Sequence, residues 1–166
     1  MAKILGIDYG MKRIGLALSD EKKTIAFPLK TFPAGKTPEE SALLLKQFLF
    51  SSKNLIEAIV VGFPLCMNGS TNEMTCQVER FANTLKTLTS LPLFFLDERL
   101  TSSFAETSLK QMGLNRKKRT QHSDTFSACV ILQNYLDLLQ RKASLINTPF
   151  SGDITTSITN FNASNI

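Results

Sequence analysis

The chain has 166 residues, 43% hydrophobic and 20% charged, which is the composition of one globular domain and not of a disordered segment. Lysine and arginine total 19 against 14 acidic residues, and the net charge of +5 favours a polyanionic partner. No apolar run of about 18 residues exists and an aspartate stands at position 8, so we expect neither a membrane span nor a signal peptide. The three cysteines form no CxxC or zinc pattern, which predicts reduced thiols in a cytoplasmic protein.

The first part of the chain has the pattern of three strands. Residues 3–9 form a short apolar run, residues 14–19 resume the same patterning, and a third strand is predicted around residues 24–32. Because a turn at residues 10–13 joins the first two runs, they predict a hairpin.

A helix and a further strand follow the third predicted strand. Thr37, Pro38 and Glu40 have the spacing of a capped helix start, with proline at the first helical position. The apolar face of this helix is formed by Ala42, Leu45, Phe48 and Leu49. Residues 57–63 are apolar on both faces, which predicts a buried parallel strand.

The same alternation continues in the second half of the chain. Ser70 and Glu73 predict a capping box for a helix that extends to about residue 88. A strand is predicted over residues 93–98, and a third helix is predicted over residues 103–113.

The last predicted elements are a basic loop, a helix and a tail. After the loop at residues 114–122, Ser123 is expected to cap a long apolar helix over residues 124–141. Residues 142–166 are rich in Ser, Thr and Asn and predict a flexible tail outside a domain of residues 1–141. Three meander-like strands followed by βα alternation predict an α/β fold with a mixed sheet and helices on its faces.

Three acidic residues stand where an apolar core is expected. Asp8 ends one apolar strand and Glu98 ends another, where the neighbouring Asp97 must point to the opposite face. Helical spacing places Asp124 on the core-facing stripe of the last helix. Each acid also has a purely structural explanation: a strand end, a partner of the helix dipole, or a surface ion pair with Arg99.

Taken together, the three acids predict a metal site. If the two strands are neighbours, their carboxyl ends lie side by side at the edge where ligands usually bind, and the last helix can present Asp124 there. Convergent carboxylates repel one another unless they share protons or bind cations, and hard oxygen ligands suit Mg²⁺ or Mn²⁺. Two such ions can activate a water and stabilise the leaving oxygen in phosphodiester cleavage.

Four blocks of this sequence resemble a known family. The blocks similar to the YqgF family, also called RuvX, are GIDYGMKRIGLALSD, VVGFPLCMNGS, LDERLTSSFAE and DTFSACVILQNYLD, within roughly residues 3–140. The family consists of bacterial proteins of the RNase H-like superfamily, described as pre-16S rRNA nucleases and earlier as Holliday junction resolvases. The resemblance implies an RNase H-like mixed five-stranded sheet flanked by helices.

The resemblance also implies the residues of the site. The acidic triad of the family matches Asp8, Glu98 and Asp124, which would be both catalytic and metal-binding, with two Mg²⁺ or Mn²⁺ ions as cofactors. Further motif positions, where phosphate or substrate contact is expected, are occupied by Arg13, Arg99 and Thr101. Entry into a helix is the structural alternative for the threonine.

The second block departs from the family pattern. The usual PLNMDGS is here PLCMNGS, with Cys66 in place of asparagine and Asn68 in place of aspartate. Asn68 keeps an acceptor oxygen but lacks the charge, so a metal or water contact at this position is left open. Gly69 and Ser70 still open a helix whose free N–H groups could hold a phosphate, with a simple loop and N-cap as the alternative.

A basic stretch lies shortly before the last helix. It consists of Arg116, Lys117, Lys118 and Arg119. A charge run of this kind is by default a solvated loop, but its position beside the acids favours a surface that holds the phosphate backbone. His122, the single histidine, is a candidate for assisting proton transfer.

The sequence therefore predicts a divalent-metal-dependent endonuclease that hydrolyses phosphodiester bonds, with 5′-end maturation of pre-16S rRNA as the leading assignment. The alternatives are a DNA nuclease of the Holliday junction resolvase kind and a binding module for RNA or a transcription complex that does not cut. The D-x-G-x-x-x-x-G pattern also resembles the first phosphate loop of sugar kinases, whose two lobes need a longer chain. The expected partner is nucleic acid and not a membrane. The choice of RNA or DNA, the cleavage position and the oligomeric state stay open.

Overall fold

The computed structural model describes residues 2–52, 54–64, 72–97 and 123–146. The strands are β1 (Lys3–Tyr9), β2 (Arg13–Ser19), β3 (Ala26–Pro33), β4 (Ile56–Phe63) and β5 (Leu93–Asp97). The helices are α1 (Pro38–Ser51), α2 (Glu73–Thr89) and α3 (Ser123–Ile146). Across these ranges, no helix has the length and apolar character needed to cross a membrane. The helix predicted over residues 103–113 and the basic loop at 114–122 lie outside the described residues.

The strands form one mixed sheet in the order β3-β2-β1-β4-β5. β2 pairs antiparallel with both β1 and β3, whereas β4 pairs in parallel with both β1 and β5. This arrangement confirms the predicted hairpin, the buried parallel strand and the mixed five-stranded sheet. β1 and β5 are not neighbours, however, because β4 lies between them and separates them by about 10 Å. Their carboxyl ends share one edge of the sheet but are not side by side, so the condition of neighbouring strands that was set for the metal site is not met.

Helices cover both faces of the sheet because alternate strand residues enter two separate apolar cores. α1 and α2 cover one face, with a core that includes Leu5, Ile7 and Phe81. α3 covers the other face, with a core that includes Ile4 and Leu132. The apolar face predicted for α1 is confirmed, since its side chains pack on the first core: Ala42, Leu45, Phe48 and Leu49.

The start of α1 is the one that the sequence predicted, with one difference in its hydrogen bonds. The Thr37 side chain accepts a hydrogen bond from the Glu40 N–H at 3.1 Å, and Pro38 is the first helical residue. The Glu40 carboxylate, however, accepts from the N–H of Lys36 at 2.7 Å, one residue before the N-cap. Both contacts satisfy backbone donors that the first helical turn leaves free.

The start of α2 corrects the prediction. Its N-cap is Asn72 and not Ser70, and the capping box is completed by Thr75 and not by Glu73. The Asn72 side chain accepts from the Thr75 N–H at 2.9 Å, and the Thr75 hydroxyl accepts from the Asn72 N–H at 3.2 Å. Asparagine caps a helix as well as serine does, so the pattern of residue types alone did not select between the two positions. Ser70 itself lies outside the described residues.

The last helix is longer than predicted. α3 begins at Ser123 and continues to Ile146, beyond the predicted end at residue 141. Residues 142–146, assigned from the sequence to the tail, are therefore helical. The remainder of the predicted tail lies outside the described residues, and the domain boundary stays a prediction.

Candidate active site

Asp8 is the first component of the site. It pairs with Gly15 of β2 near the carboxyl end of β1. Ile4, on the same face of the strand by alternation, is buried in the core beneath α3. The half-buried Asp8 side chain is therefore presented to α3, as the phase of the first strand predicted.

Two glycines allow α3 to lie very close to the sheet. A Cβ atom added at Gly15 would lie 1.9 Å from the carbonyl oxygen of Asp124, which is a severe overlap with backbone. A Cβ atom added at Gly6 would lie 2.6 Å from the Cβ atom of Leu132. Because Gly15 is the pairing partner of Asp8, the contact at Gly15 brings the first turn of α3 next to Asp8.

Asp124 is the second acid of the site and lies in that first turn of α3. Its helical spacing aligns it with Ala128, Ile131 and Tyr135, which all contribute to the core under α3. The predicted core-facing stripe is therefore confirmed. The position at the helix N-terminus also suits a carboxylate, because the helix dipole is positive there.

The electrostatics of Asp8 reflect this enclosure. Burial, followed by the negative charge of Asp124, raises the pKa of Asp8 to about 6. The Ser127 hydroxyl donates a hydrogen bond to the Asp8 carboxylate and opposes this rise in pKa. The two acids thus repel each other across the gap between β1 and α3, as the sequence analysis expected for a cation-binding pair.

Arg13 contacts the second acid directly. Its Nε atom lies 3.0 Å from Oδ2 of Asp124. The arginine side chain is 66% exposed and the aspartate side chain 27% exposed, so the pair lies at the mouth of the site and not in the core. The motif position of Arg13 predicts phosphate or substrate contact, and the ion pair with Asp124 adds a partner that the motif did not predict.

Asp97 lies on the other side of the sheet from this pair. Leu96 belongs to the core under α3, and alternation turns Asp97 to the opposite face, as predicted. Glu98, the third acid of the predicted triad, lies outside the described residues. Among the residues that are described, no group of three His, Cys, Asp or Glu side chains forms a metal-binding cluster.

The structure therefore brings together three of the predicted site residues: Asp8, Asp124 and Arg13. The others lie outside the described residues: Glu98, Arg99, Thr101, Gly69, Ser70, Arg116, Lys117, Lys118 and Arg119. The same holds for Cys66, Asn68 and His122. Their assignments stay predictions.

Two contributors to the site were missed by the sequence analysis. Ser127 stands three residues after Asp124, and this spacing on a helix would have placed both side chains on the same face. Gly15 is part of the first motif block, but its steric role depends on the closeness of α3, which no local pattern reveals.

The two described acids fit a divalent cation. Carboxylate oxygens are the ligands that Mg²⁺ and Mn²⁺ prefer, and a bound cation would remove the repulsion between Asp8 and Asp124. One side of the site is apolar and closed by α3, whereas the Arg13 side is exposed to solvent and to any incoming substrate.

Comparison with known proteins gives close relatives. A protein of Protochlamydia amoebophila (strain UWE25) is 47% identical over 140 residues, and the match covers 82% of this chain and 93% of the relative. A protein of Chloroflexus aggregans (strain MD-66 / DSM 9485) is 39% identical over 134 residues, covering 81% and 92%. Both are named "Putative pre-16S rRNA nuclease".

Solved structures share the fold. Thermus thermophilus RuvC, solved in complex with a Holliday junction substrate, superposes with a TM-score of 0.59 at 16% identity, over 86% of this chain and 97% of that one. A second Thermus thermophilus RuvC structure gives a TM-score of 0.52 at 15% identity, over 84% and 96%. The RNase H-like fold expected from the sequence is thereby confirmed. The model of the RuvX family, described as Holliday junction resolvase, matches residues 2–138, and the chain belongs to this family.

Proposed function

We propose that the chain is a divalent-metal-dependent endonuclease that cleaves phosphodiester bonds of the 16S rRNA precursor in 5′-end maturation, in the cytoplasm. The observation that carries the proposal is the pair of acids, Asp8 and Asp124, that α3 and β1 present to each other at the carboxyl edge of the sheet. Membership of the RuvX family and the names of the two relatives support a nuclease and an rRNA precursor as its substrate.

The acids of the predicted triad would hold the cations. Asp8 and Asp124 supply carboxylate oxygens from β1 and α3, and Glu98 is assigned to complete the set. Leu96 lies on the α3 face, and the strand predicted from the sequence to residue 98 would bring Glu98 to the same face by alternation. When bound, the two cations would supply an activated water and stabilise the leaving oxygen. Ser127 orients the Asp8 carboxylate by its hydrogen bond.

The remaining predicted residues would hold the nucleic acid. Arg13 stands at the exposed mouth of the site, and its planar guanidinium suits a phosphate. The other residues proposed for substrate contact are Arg99, Thr101, Gly69, Ser70, Arg116, Lys117, Lys118 and Arg119. The basic stretch at 116–119 would neutralise backbone phosphates and so position the strand for cleavage.

The test is cleavage of a 16S rRNA precursor fragment by purified protein with and without Mn²⁺. Asp8→Asn and Asp124→Asn are each expected to lower the cleavage rate at least about 100-fold, because metal ligation supplies several kcal/mol of transition-state stabilisation. The matched control is Glu21→Gln, which removes one acidic charge at an exposed turn residue and is expected to cleave normally. Full cleavage by Asp8→Asn, or cleavage independent of the metal, would contradict the proposal.

A second substrate is favoured by one observation. The matching family model is described as a Holliday junction resolvase. The same assay with a four-way DNA junction therefore decides between RNA and branched DNA. If the protein binds one of the substrates but cleaves neither of them, in Mg²⁺ or in Mn²⁺, the result would instead indicate a binding module.

A further inference from the structure

Arg13 forms an ion pair with Asp124, the acid that the proposed function assigns to a metal ion. Its Nε atom donates to Oδ2 of Asp124 at 3.0 Å. A guanidinium and a divalent cation compete for this oxygen, because the two positive charges repel each other at such a distance. A cation that binds Oδ2 of Asp124 therefore weakens the hold of the arginine and favours movement of its side chain away from the carboxylate.

The geometry makes this movement easy. The Arg13 side chain is 66% exposed, so water replaces its lost contact, and exposed ion pairs of this kind are weak. The backbone of Arg13 stays fixed, because it pairs with Pro33 at the start of β2. The movement is thus confined to one long side chain, which has rotamers that point into solvent.

We propose that Arg13 holds the Asp124 carboxylate in the metal-free protein and exchanges it for a substrate phosphate once a divalent cation binds. This inference rests on the proposed function, since it uses Asp124 as a metal ligand. The released guanidinium is a planar donor that suits a phosphate and lies at the open side of the site. Metal binding and nucleic-acid binding are therefore coupled through a single side chain.

The first test is a Mn²⁺ titration of the full chain, in which electron paramagnetic resonance measures free Mn²⁺ and no cleavage is needed. Arg13→Gln removes the competing cation and is expected to lower the apparent Kd for Mn²⁺ about two- to fivefold, the range expected for an exposed ion pair. Lys12→Gln is the matched control. It removes the same charge from the neighbouring exposed residue, which makes no ion pair with Asp124, and should change the Kd clearly less.

The second test measures the coupling itself. Affinity for the rRNA fragment is measured in EDTA and in Ca²⁺, used as a divalent ion that does not support cleavage. The wild-type affinity is expected to rise in Ca²⁺, and the rise should be at least about threefold smaller in Arg13→Gln. Thermal unfolding of each variant checks that the fold is retained.

The outcomes separate this inference from the proposed function. If wild-type protein binds Mn²⁺ and cleaves but Arg13→Gln binds Mn²⁺ no more tightly, or Lys12→Gln changes the Kd equally, the exchange is wrong and the nuclease assignment stands. If wild-type protein binds no Mn²⁺, both fall. An equal Ca²⁺ effect in wild type and Arg13→Gln would show that the arginine does not couple metal to substrate.

Discussion

At the scale of single residues, the half-buried carboxylate of Asp8 has a cost in folding stability. Asp8 is enclosed by α3, and burial followed by the charge of Asp124 raises its pKa to about 6. Compared with the unfolded chain, the folded, metal-free protein therefore favours the protonated carboxyl, and the ionised form opposes folding. A bound cation would offset this cost, because a nearby positive charge favours the ionised carboxylate.

This difference predicts how stability depends on pH. The folded pKa of Asp8 lies above its ordinary value of 3.8, so the metal-free protein loses stability as pH rises from about 4 to about 6. Asp8→Asn removes the cost and is expected to raise the free energy of unfolding at pH 7.5 by about 1–3 kcal/mol. The gain should fade towards pH 4, because wild-type Asp8 is then neutral.

Urea unfolding in EDTA at pH 7.5 and pH 4.5 measures this effect, and repetition with Mn²⁺ provides the control. Added Mn²⁺ is expected to stabilise the wild type more than Asp8→Asn. A variant that is less stable than wild type by the same amount at both pH values would argue against an enclosed, repelled carboxylate.

At the scale of elements, the approach of α3 to the hairpin decides the site. The overlap that a Cβ atom at Gly15 would have with the Asp124 carbonyl involves backbone, which cannot rotate out of the way. Any side chain there must push the first turn of α3 away from β2 and carry Asp124 with it. The predicted position of Asp124 on the core-facing stripe is thus necessary for the site, but the closeness of the helix completes it.

Gly15→Ala is therefore expected to destabilise the protein by about 1–3 kcal/mol and to weaken Mn²⁺ binding at least about fivefold. Gly6→Ala is the matched control, since its added Cβ would press on Leu132, two turns further along α3 from Asp124. It should cost similar stability but leave more of the Mn²⁺ affinity. Urea unfolding and the Mn²⁺ titration give both quantities, and equal losses of affinity would contradict the positional role of Gly15.

The start of α2 gives a second prediction at this scale. Asn72→Ala removes the side chain that caps the helix and is expected to lower the free energy of unfolding by about 1 kcal/mol. Ser70→Ala, at the cap that the sequence predicted, should change it by less than about 0.5 kcal/mol. Urea unfolding compares the two, and a larger loss from the serine substitution would restore the sequence-based assignment.

At the scale of the whole molecule, the net charge of +5 conceals an uneven distribution. Four basic residues follow one another at 116–119, and the acids Asp8 and Asp124 face each other between β1 and α3. If the basic stretch holds a nucleic acid at the site, as proposed, the phosphates would meet acids that need cations to accept them. Binding should therefore depend on both salt and divalent metal.

The dependence of nucleic-acid affinity on salt concentration tests the role of the basic stretch. Neutralising Arg116, Lys117, Lys118 and Arg119 to alanine is expected to reduce the slope of log affinity against log salt by about 3, if each residue neutralises one phosphate. The control neutralises four basic residues on or beside the α1 and α2 face: Lys30, Lys36, Lys46 and Lys86. Filter binding to the rRNA fragment between about 50 and 200 mM salt gives the slopes. Equal reductions in both variants would indicate diffuse attraction and no specific basic surface.

Local chemistry by itself determined much of this protein. The apolar runs predicted the strands, and Thr37 with Pro38 predicted the start of α1. The helical spacing of Asp124 predicted the face of α3 on which it lies. Each of these features depends on residues that are near one another in the sequence. Only the tertiary structure decided that β4 separates β1 from β5, that α3 touches the backbone at Gly15, and that Arg13 pairs with Asp124. These are contacts between segments far apart in the chain, whose distances follow from packing and not from any local periodicity.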